Sequence, residues 1–407
     1  MDNEIKNLLS FESKRQNEGI ELIASENYPS KEVREACGSV AICKYAEGYP
    51  NHRYYGGCAN IDAIESIAIN RICKLFNCNF ANVQPHCGST ANFAAYHALL
   101  PMGGKILSLD LNSGGHLTHG SPVSFSSDLY HFFFYHLDST GHIDYEDLKK
   151  QIELIEPDVV LCGASAYPYI IDFDKIRSII NECNPYIYLM ADIAHIAGLV
   201  AAGRHPSPFP ACDVVTSTTH KTLRGPRGGI IMWNNENLSK RINSAVFPYS
   251  QGGPLENIIA AKAIMAREAA SDNFKTYIDN VLINTHIACE TLSNLGAVVS
   301  GTENHLFLLN TLASFGLTGK DAQEKLELVK ITTNKNMIPG DTLSPAKTSG
   351  LRIGLAAMTS RGMNAEQVEI LFKKIYYYLK GEISTEEISQ TVKDITSELK
   401  DIDNLVY

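Results

Sequence analysis

One stretch of the sequence, Thr216-Ser217-Thr218-Thr219-His220-Lys221, places a lysine among hydroxyl side chains. The apolar run before it, Cys212 to Val215, predicts a strand, and a turn-rich segment follows from Arg224 to Gly229. Lysine normally stays at the surface, and burial lowers the pKa of an amine. An unprotonated amine can condense with a carbonyl group. Lys221 is therefore either an attachment point for a carbonyl compound or a strand-ending side chain that reaches back to water.

Further side chains capable of chemistry follow other predicted strands, and they are Asp110, Gly114-Gly115-His116, Ser165-Ala166-Tyr167 and Asp192-Ile193-Ala194-His195. Ligands of parallel sheets bind beyond the carboxyl ends of the strands, so we expect these residues to share one rim with Lys221. The set suits pyridoxal phosphate, which needs a lysine for an imine, a carboxylate at its ring nitrogen and a group stacked on its ring. Asp192 fits the carboxylate role and His116 the stacking role. A metal at His116 and His119 is the alternative, and it lacks third and fourth ligands.

Two segments have the composition of phosphate-binding loops. Cys87-Gly88-Ser89-Thr90 leads directly into a predicted helix over 91–100, where free N–H groups and the helix dipole favour an anion. The alternative for this segment is an ordinary helix cap. The second segment, 243–254, is rich in glycine and proline and contains Gly252-Gly253.

Three further segments combine polar and apolar residues in patterns typical of binding sites. The loop Lys44–Cys58 holds four tyrosines, a glutamate and an arginine, which indicates a functional loop, a subunit interface or both. The cluster from Glu21 to Ser30 lines a cleft or caps the helix that follows. Arg352 lies in an apolar strand context, where it either recognises a carboxylate with its two-pronged guanidinium group or forms a structural ion pair.

Short apolar runs alternate with helix-length segments along the chain. The predicted strands are Lys105–Leu109, Asp158–Cys162, Tyr186–Met190, Cys212–Val215 and Gly229–Trp233. The predicted helices include Asn3–Gly19, Asn60–Phe76, Tyr145–Ile155, Asp174–Cys183, Asn257–Ala270 and Asn364–Leu379, the last with Gly381 as its stop. This alternation predicts an α/β protein with a mostly parallel sheet covered by helices. A second domain has a predicted core around His305–Leu309 and Leu351–Gly354.

The composition excludes several classes of protein. The 407 residues suffice for a large domain and a smaller one. A net charge of −10 argues against a nucleic-acid-binding surface. The sequence contains no run of eighteen apolar residues, so we expect no membrane span. The acidic N-terminus does not resemble a signal peptide. The ten cysteines contain no Cys-x-x-Cys pair, so we expect reduced thiols and a cytoplasmic location.

The sequence resembles the serine hydroxymethyltransferase family over nearly its full length. The matching blocks are Glu21–Tyr28, Lys44–Cys58, Ala81–Phe93, Gly114–Pro122, Gly141–Tyr145, Asp192–Ala202, Thr216–Gly229, Asn243–Leu255 and Thr348–Gly354. The resemblance implies the aspartate-aminotransferase-like fold (fold type I of the pyridoxal phosphate enzymes), with a mostly parallel seven-stranded sheet and a smaller α+β C-terminal domain. It implies an N-terminal arm at 1–45, a large cofactor-binding domain at 46–272 and a small domain at 273–407.

The resemblance also implies a role for each matching site residue. For the cofactor these are Lys221 as covalent attachment point, Asp192 at the pyridine nitrogen, His116 on the ring, Ser165 and His195 at the phenolic oxygen, and Gly88, Ser89 and the partner subunit's Gly252 and Gly253 at the phosphate. For the substrates they are Arg352 and Ser25 at the carboxylate, Glu47 and Tyr55 of the other subunit for proton handling, and Tyr54, Leu111, Gly115 and Asn336 at the folate. Thr218 and His220, beside the lysine, complete the expected catalytic set.

The implied reaction is the reversible transfer of the serine hydroxymethyl carbon to tetrahydrofolate, giving glycine and 5,10-methylenetetrahydrofolate. The implied assembly is a homodimer with shared sites, or a tetramer, with no nucleic-acid or membrane partner. Departures from the family pattern are Cys87 near the phosphate and Met337, Ala346, Leu355 and Ala356 near the folate and the substrate carboxylate. Two alternatives therefore stand beside the transferase: a folate-independent β-hydroxyamino-acid aldolase and a non-catalytic binder.

Overall fold

The computed structural model describes residues 2–407 and divides into two compact units. The larger unit comprises residues 32–165 and 170–275, and the smaller one comprises residues up to 31, 166–169 and 276–407. The domain limits predicted at residues 45 and 272 stay a prediction. No helix within residues 2–407 combines the length and the apolar character needed to cross a membrane.

The larger unit is built on a sheet of seven strands within the described residues. They are β1 (Phe80–Asn82), β2 (Lys105–Leu109), β3 (His131–Tyr135), β4 (Val159–Cys162), β5 (Tyr188–Asp192), β6 (Val214–Thr218) and β7 (Gly229–Trp233). Their order across the sheet is β1-β7-β6-β5-β4-β2-β3. Strand β7 runs antiparallel to β1 and β6, and the other neighbouring pairs are parallel. The predicted mostly parallel, seven-stranded α/β sheet is confirmed.

Helices cover this sheet, because strands such as β4 and β7 are apolar and buried along their whole length. Those assigned to the larger unit are Lys31–Cys37, Ala59–Phe76, Gly88–Leu99, Phe125–Leu129, Tyr145–Ile155, Phe173–Cys183, Ala197–Ala201, Ser239–Ser244 and Glu256–Ala269. Short 3-10 helices span Val40–Cys43 and Glu236–Leu238, a π-helical segment spans Ala245–Ser250, and Gly48–Tyr49 pairs with His52–Arg53 in a small hairpin. A core of fully buried side chains between sheet and helices includes Tyr96, Ile106, Leu161, Met190 and Trp233.

Strand β6 shows where apolar runs mislead about strand limits. The sequence predicted a strand over Cys212–Val215, and the observed strand is Val214–Thr218. Thr216, Ser217 and Thr218 are buried and pair with β7, so the strand continues through all three hydroxyl residues. Threonine suits a strand because its branched side chain packs on a pleated surface. The predicted strand began two residues too early and ended three residues too early, because the prediction followed the apolar residues.

The smaller unit contains a four-stranded antiparallel sheet within its described residues. The strands lie in the order Val298–Val299, Leu306–Asn310, Gly350–Gly354 and Asn334–Asn336. A separate parallel pair joins Ile20–Glu21 to Ile331–Thr332. The helices are Asn3–Glu18, Asp272–Asn294, Thr311–Phe315, Gly319–Glu327, Ala356–Ser360, Ala365–Lys380 and Thr385–Glu398, with a 3-10 turn at Ile402–Asn404. The predicted cap at Asn364 and Gln367 is present, and Gly381 ends its helix with a φ of 81°.

We expect Gly354→Ala to lower the free energy of unfolding by about 1–3 kcal/mol, the usual cost of overpacking a core. A Cβ on Gly354 would lie 2.4 Å from the Cα of Ala24, so the chain beside Ser25 would have to move. Urea denaturation followed by circular dichroism measures the change. Gly38→Ala is the control, because its Cβ would meet its nearest atom at 3.8 Å. Equal midpoints for the two variants would contradict the expectation.

Candidate active site

Lys221 follows strand β6 and is 9% exposed. The threonines on either side tie its segment to the chain that follows β5. Thr218 Oγ1 donates to Ala194 O at 3.4 Å, and Thr222 Oγ1 donates to His195 O at 3.0 Å. Burial and the nearby Lys221 charge lower the pKa of His220 to about 3, so this imidazole is neutral at pH 7. The lysine segment is therefore fixed to the residues that follow Asp192. The sequence analysis expected these two segments to lie at the same edge of the sheet.

Asp192 ends strand β5 with a buried carboxylate that accepts three hydrogen bonds. Oδ1 accepts from Ala194 N at 3.0 Å, and Oδ2 accepts from Asn92 Nδ2 at 2.9 Å and from His119 Nε2 at 3.1 Å. His119 Nδ1 accepts from a backbone N–H, which leaves Nε2 as the donor. Burial opposes ionisation, but the hydrogen bond from His119 holds the pKa of Asp192 well below its usual range. Asp192 is an anion that can pair with a protonated ring nitrogen.

His116 and Thr118 belong to the same hydrogen-bonded group. Thr118 Oγ1 lies 2.8 Å from His116 Nδ1 and accepts from Asn92 Nδ2 at 2.9 Å. Asn92 in turn accepts from Thr216 Oγ1 at 2.6 Å, so it links Asp192, the His116 segment and strand β6. The sequence analysis missed Asn92 and Thr118. The signal for Asn92 was a polar residue within an alanine-rich helix.

The same group includes His116 and His119, which the sequence analysis considered as metal ligands. His116, His119 and Asp192 offer ligand atoms within 4.8 Å of one another. His119 Nε2 already donates to Asp192, so a metal bound between these residues would have to replace this hydrogen bond. An anionic carboxylate beside a histidine ring suits the protonated ring of pyridoxal phosphate as well as it suits a metal.

The predicted phosphate segment opens a helix that begins at Gly88, three residues before the predicted start. The first turn of a helix has N–H groups without helical partners, and here Gly88 and Ser89 supply two of them. Thr90 Oγ1 accepts from Cys87 N at 3.1 Å and donates to Cys87 O at 3.0 Å. A Cβ on Gly88 would lie 2.7 Å from Thr218 Cγ2, so glycine lets this helix start approach strand β6. Backbone donors next to the lysine segment fit a phosphate.

Gln251 ties the second glycine segment to the first. Its Oε1 accepts from His86 N and its Nε2 donates to Gln84 O, both at 3.0 Å. Gly252 and Gly253 follow Gln251 directly in the sequence. A Cβ on Gly252 would lie 3.4 Å from Glu47 Oε1, so this segment borders the aromatic loop.

Glu47 and Tyr55 of the aromatic loop form a hydrogen-bonded pair. Tyr55 Oη donates to Glu47 Oε2 at 3.3 Å, and the Glu47 carboxylate raises the pKa of Tyr55. Arg53 donates to Ala46 O at 2.8 Å and Gly48 O at 2.9 Å, on both sides of Glu47. It also pairs with Glu65 at 2.6 Å, so a buried ion pair anchors the loop. The sequence showed Arg53 in this loop but not that it fixes Glu47.

Four further predicted residues lie in loops of the larger unit. Ser165 N donates to Gly114 O at 2.7 Å, which places Ser165 beside Gly115. A Cβ on Gly115 would lie 2.2 Å from Leu109 O, so the turn after β2 needs glycine there. Leu111 is 40% exposed and Tyr54 is 74% exposed. Both side chains present apolar surface to solvent.

In the smaller unit, the structure brings Arg352 and Ser25 together. Arg352 Nη2 donates to Ser25 Oγ at 3.4 Å and to Asn334 Oδ1 at 3.3 Å. Burial lowers the pKa of Arg352 to about 10, which means that a nearby anion would stabilise its charge. The sequence analysis missed Asn334, which faces Arg352 in the sheet register.

The departures from the family pattern fall in different environments. Asn336 Nδ2 donates to Met337 O at 2.5 Å, and both residues are half-buried. Ala346 is exposed, whereas Leu355 and Ala356 are buried, Leu355 within the core of the smaller unit. The Leu355 change therefore alters packing in that core.

Comparisons with known proteins identify the family of this chain. The family model described as serine hydroxymethyltransferase matches residues 1–375. A serine hydroxymethyltransferase of Sulfurovum sp. (strain NBC37-1) is 49% identical over all of this chain and 98% of its own. One from Helicobacter pylori (strain ATCC 700392 / 26695) is 53% identical over 92% of this chain and 90% of its own. One from Campylobacter jejuni subsp. doylei is 50% identical over 96% of this chain and 94% of its own. The chain therefore belongs to the serine hydroxymethyltransferase family, whose members share an aspartate-aminotransferase-like fold and use pyridoxal phosphate to interconvert serine and glycine with tetrahydrofolate.

Proposed function

We propose that this chain carries out the reaction of its family at a site centred on Lys221 and Asp192. The reaction is the reversible transfer of the serine hydroxymethyl carbon to tetrahydrofolate, giving glycine and 5,10-methylenetetrahydrofolate. Pyridoxal phosphate supplies the sink for the electrons of the broken Cα–Cβ bond. The observation that carries the proposal is the buried, anionic Asp192, fixed by His119 and Asn92 beside the chain segment that holds Lys221.

The larger unit holds the cofactor. Lys221 provides the amine, Asp192 keeps the ring nitrogen protonated and His116 stacks on the ring. Ser165 and His195 contact the phenolic oxygen. Gly88 and Ser89 bind the phosphate with backbone N–H groups, which offsets the replacement of a hydroxyl donor by Cys87. Thr218 holds the chain before Lys221 through its hydrogen bond to Ala194 O, and the His220 imidazole beside the lysine is neutral.

Glu47 and Tyr55 move protons at the substrate hydroxyl. Their mutual hydrogen bond supports this role, because a proton can pass along it. Arg53 holds the backbone on both sides of Glu47, so the carboxylate keeps a fixed position.

Arg352, helped by Ser25, binds the carboxylate of serine or glycine. A buried guanidinium can bind a carboxylate with two parallel hydrogen bonds, and Arg352 Nη2 lies within reach of Ser25 Oγ, the second expected contact. Tyr54, Leu111, Gly115 and Asn336 contact the folate, and the exposed apolar surface of Tyr54 and Leu111 supports that assignment.

A homodimer with shared sites, or a tetramer of such dimers, is the proposed assembly. Glu47, Tyr55, Gly252 and Gly253 then complete the site of the partner subunit. The surface near them exposes large apolar side chains, with Val40 at 89%, Ile42 at 66% and Tyr45 at 57%, as an interface requires. The ten free cysteines of the described chain support a reducing, cytoplasmic setting.

One spectroscopic experiment tests the folate step. We expect the purified holoenzyme with glycine to develop a strong long-wavelength absorbance when tetrahydrofolate is added, because both ligands are needed to complete the site. If glycine changes the spectrum and tetrahydrofolate adds nothing, the chain is a folate-independent aldolase. If the purified protein neither is yellow nor becomes yellow with pyridoxal phosphate, the non-catalytic alternative holds.

A further inference from the structure

Lys262 is a buried lysine that the proposed mechanism does not use. It lies in the helix Glu256–Ala269 and is 1% exposed. Its Nζ donates to three backbone carbonyls, those of Val83 at 2.6 Å, Gly229 at 2.8 Å and Pro85 at 3.1 Å. An ammonium group has three N–H donors, so this geometry uses all of them.

The three carbonyls belong to the two segments proposed to hold the cofactor. Val83 and Pro85 lie between strand β1 and the helix that begins at Gly88. Gly229 opens strand β7, immediately after the turn that follows Lys221. Pro85 O accepts a second hydrogen bond from Gly229 N at 3.0 Å. The Lys262 ammonium therefore lies where the phosphate segment meets the end of the lysine turn.

The packing at this junction leaves little room for adjustment. A Cβ on Gly229 would lie 2.3 Å from Cys87 O, and a Cβ on Gly228 would lie 2.4 Å from Lys262 Cε. Both glycines thus allow close approach, one to the phosphate segment and the other to the lysine stem. A small displacement of the Lys262 ammonium would therefore also displace the backbone at Cys87 and Gly88.

A buried ammonium is an expensive way to stabilise a helix contact. Burial lowers the pKa of Lys262 to about 7, and the negative charge of Glu65 opposes that change. A well-packed apolar side chain often stabilises such a position as well as a buried charge does. What an apolar side chain cannot do is hold three carbonyls at fixed distances around one point.

We propose that Lys262 is a positioning residue for pyridoxal phosphate, whose ammonium sets the spacing between the phosphate-binding helix start and the Lys221 turn. This inference rests on the proposed assignment of Gly88, Ser89 and Lys221 to the cofactor. It adds a residue that touches neither substrate nor cofactor and acts through the backbone of both segments.

The test is a titration of the apoprotein with pyridoxal phosphate, followed by the visible absorbance of the bound cofactor. We expect Lys262→Met to bind the cofactor about 10- to 100-fold more weakly, the scale of a lost hydrogen bond to a charged group. Arg71→Met is the matched control, because Arg71 Nη1 donates to Ala263 O of the same helix at 2.7 Å. A purely structural role would lower the thermal midpoints of both apoproteins and leave both cofactor affinities unchanged.

Gly228→Ala provides a second variant that keeps the ammonium and displaces its stem. We expect Gly228→Ala to bind the cofactor more weakly as well. If Lys262→Met fails to fold, the titration of Gly228→Ala tests the role of Lys262. Cofactor affinities within about twofold of the wild type, a difference under 1 kcal/mol, would overturn the inference. Lys221→Ala in the same titration distinguishes a failure of the Lys262 inference from a failure of the proposed site. Covalent binding that survives Lys221→Ala refutes the assignment of Lys221 to the cofactor.

Discussion

Replacing Lys221 by alanine is expected to abolish covalent binding of pyridoxal phosphate and to lower serine cleavage by about 10³-fold or more, the scale of a lost nucleophile and proton carrier. Lys221 follows a strand whose hydroxyl residues lie inside the sheet, and its segment is tied to the Asp192 loop. No other side chain of that segment can form the imine. Borohydride reduction followed by peptide mass spectrometry measures the attachment.

Two other lysines make this experiment informative. Lys240→Ala removes an exposed lysine from the helix Ser239–Ser244 and should leave both attachment and activity unchanged. Lys262 is also a buried lysine, but its Nζ is held by the backbone carbonyls of Val83, Pro85 and Gly229 and is not available to the cofactor. Cofactor mass found on Lys262 instead of Lys221 in the wild type would refute the assignment.

Arg352→Lys is expected to raise the KM for serine by about 100-fold, with a smaller effect on kcat, since a lost charged hydrogen bond costs about 1.5–3 kcal/mol. A lysine keeps the charge and loses the planar two-pronged geometry. Steady-state kinetics with serine, together with the dissociation constant of glycine, separates binding from chemistry.

Arg361→Lys is the matched control for this prediction. Arg361 is also buried in the smaller unit, but it donates to the backbone carbonyls of Gln16, Asn17, Gly19 and Lys400. Its replacement should lower the thermal midpoint and leave the KM for serine unchanged. An unchanged KM in Arg352→Lys would show that the substrate carboxylate binds elsewhere.

Periodicity and capping residues determined much of the secondary structure. Strands β2 and β7 and the helix Tyr145–Ile155 have the predicted limits, because their apolar pattern and their boundaries coincide. The helix at Gly88 began earlier than predicted, since its first turn is made of small polar residues that carry no apolar signal. Strands β1 and β3 were missed in the reading of apolar runs. One has three residues, and the other lies at the edge of the sheet.

The sequence by itself determined the family, the fold class, the cofactor and the reaction, and the comparisons confirm them. Each of these follows from residue types in ordered local blocks. Only the tertiary structure showed that Asn92 bridges Asp192 and Thr216 and that Arg53 holds the backbone on both sides of Glu47. It also showed that Lys262 donates to carbonyls on both sides of a junction, those of Val83 and Gly229. Asn92 meets Asp192 across 100 positions and Lys262 meets Val83 across 179. A polar residue in a predicted helix could contact many different groups. Which of them it contacts depends on packing between segments that are far apart in the sequence.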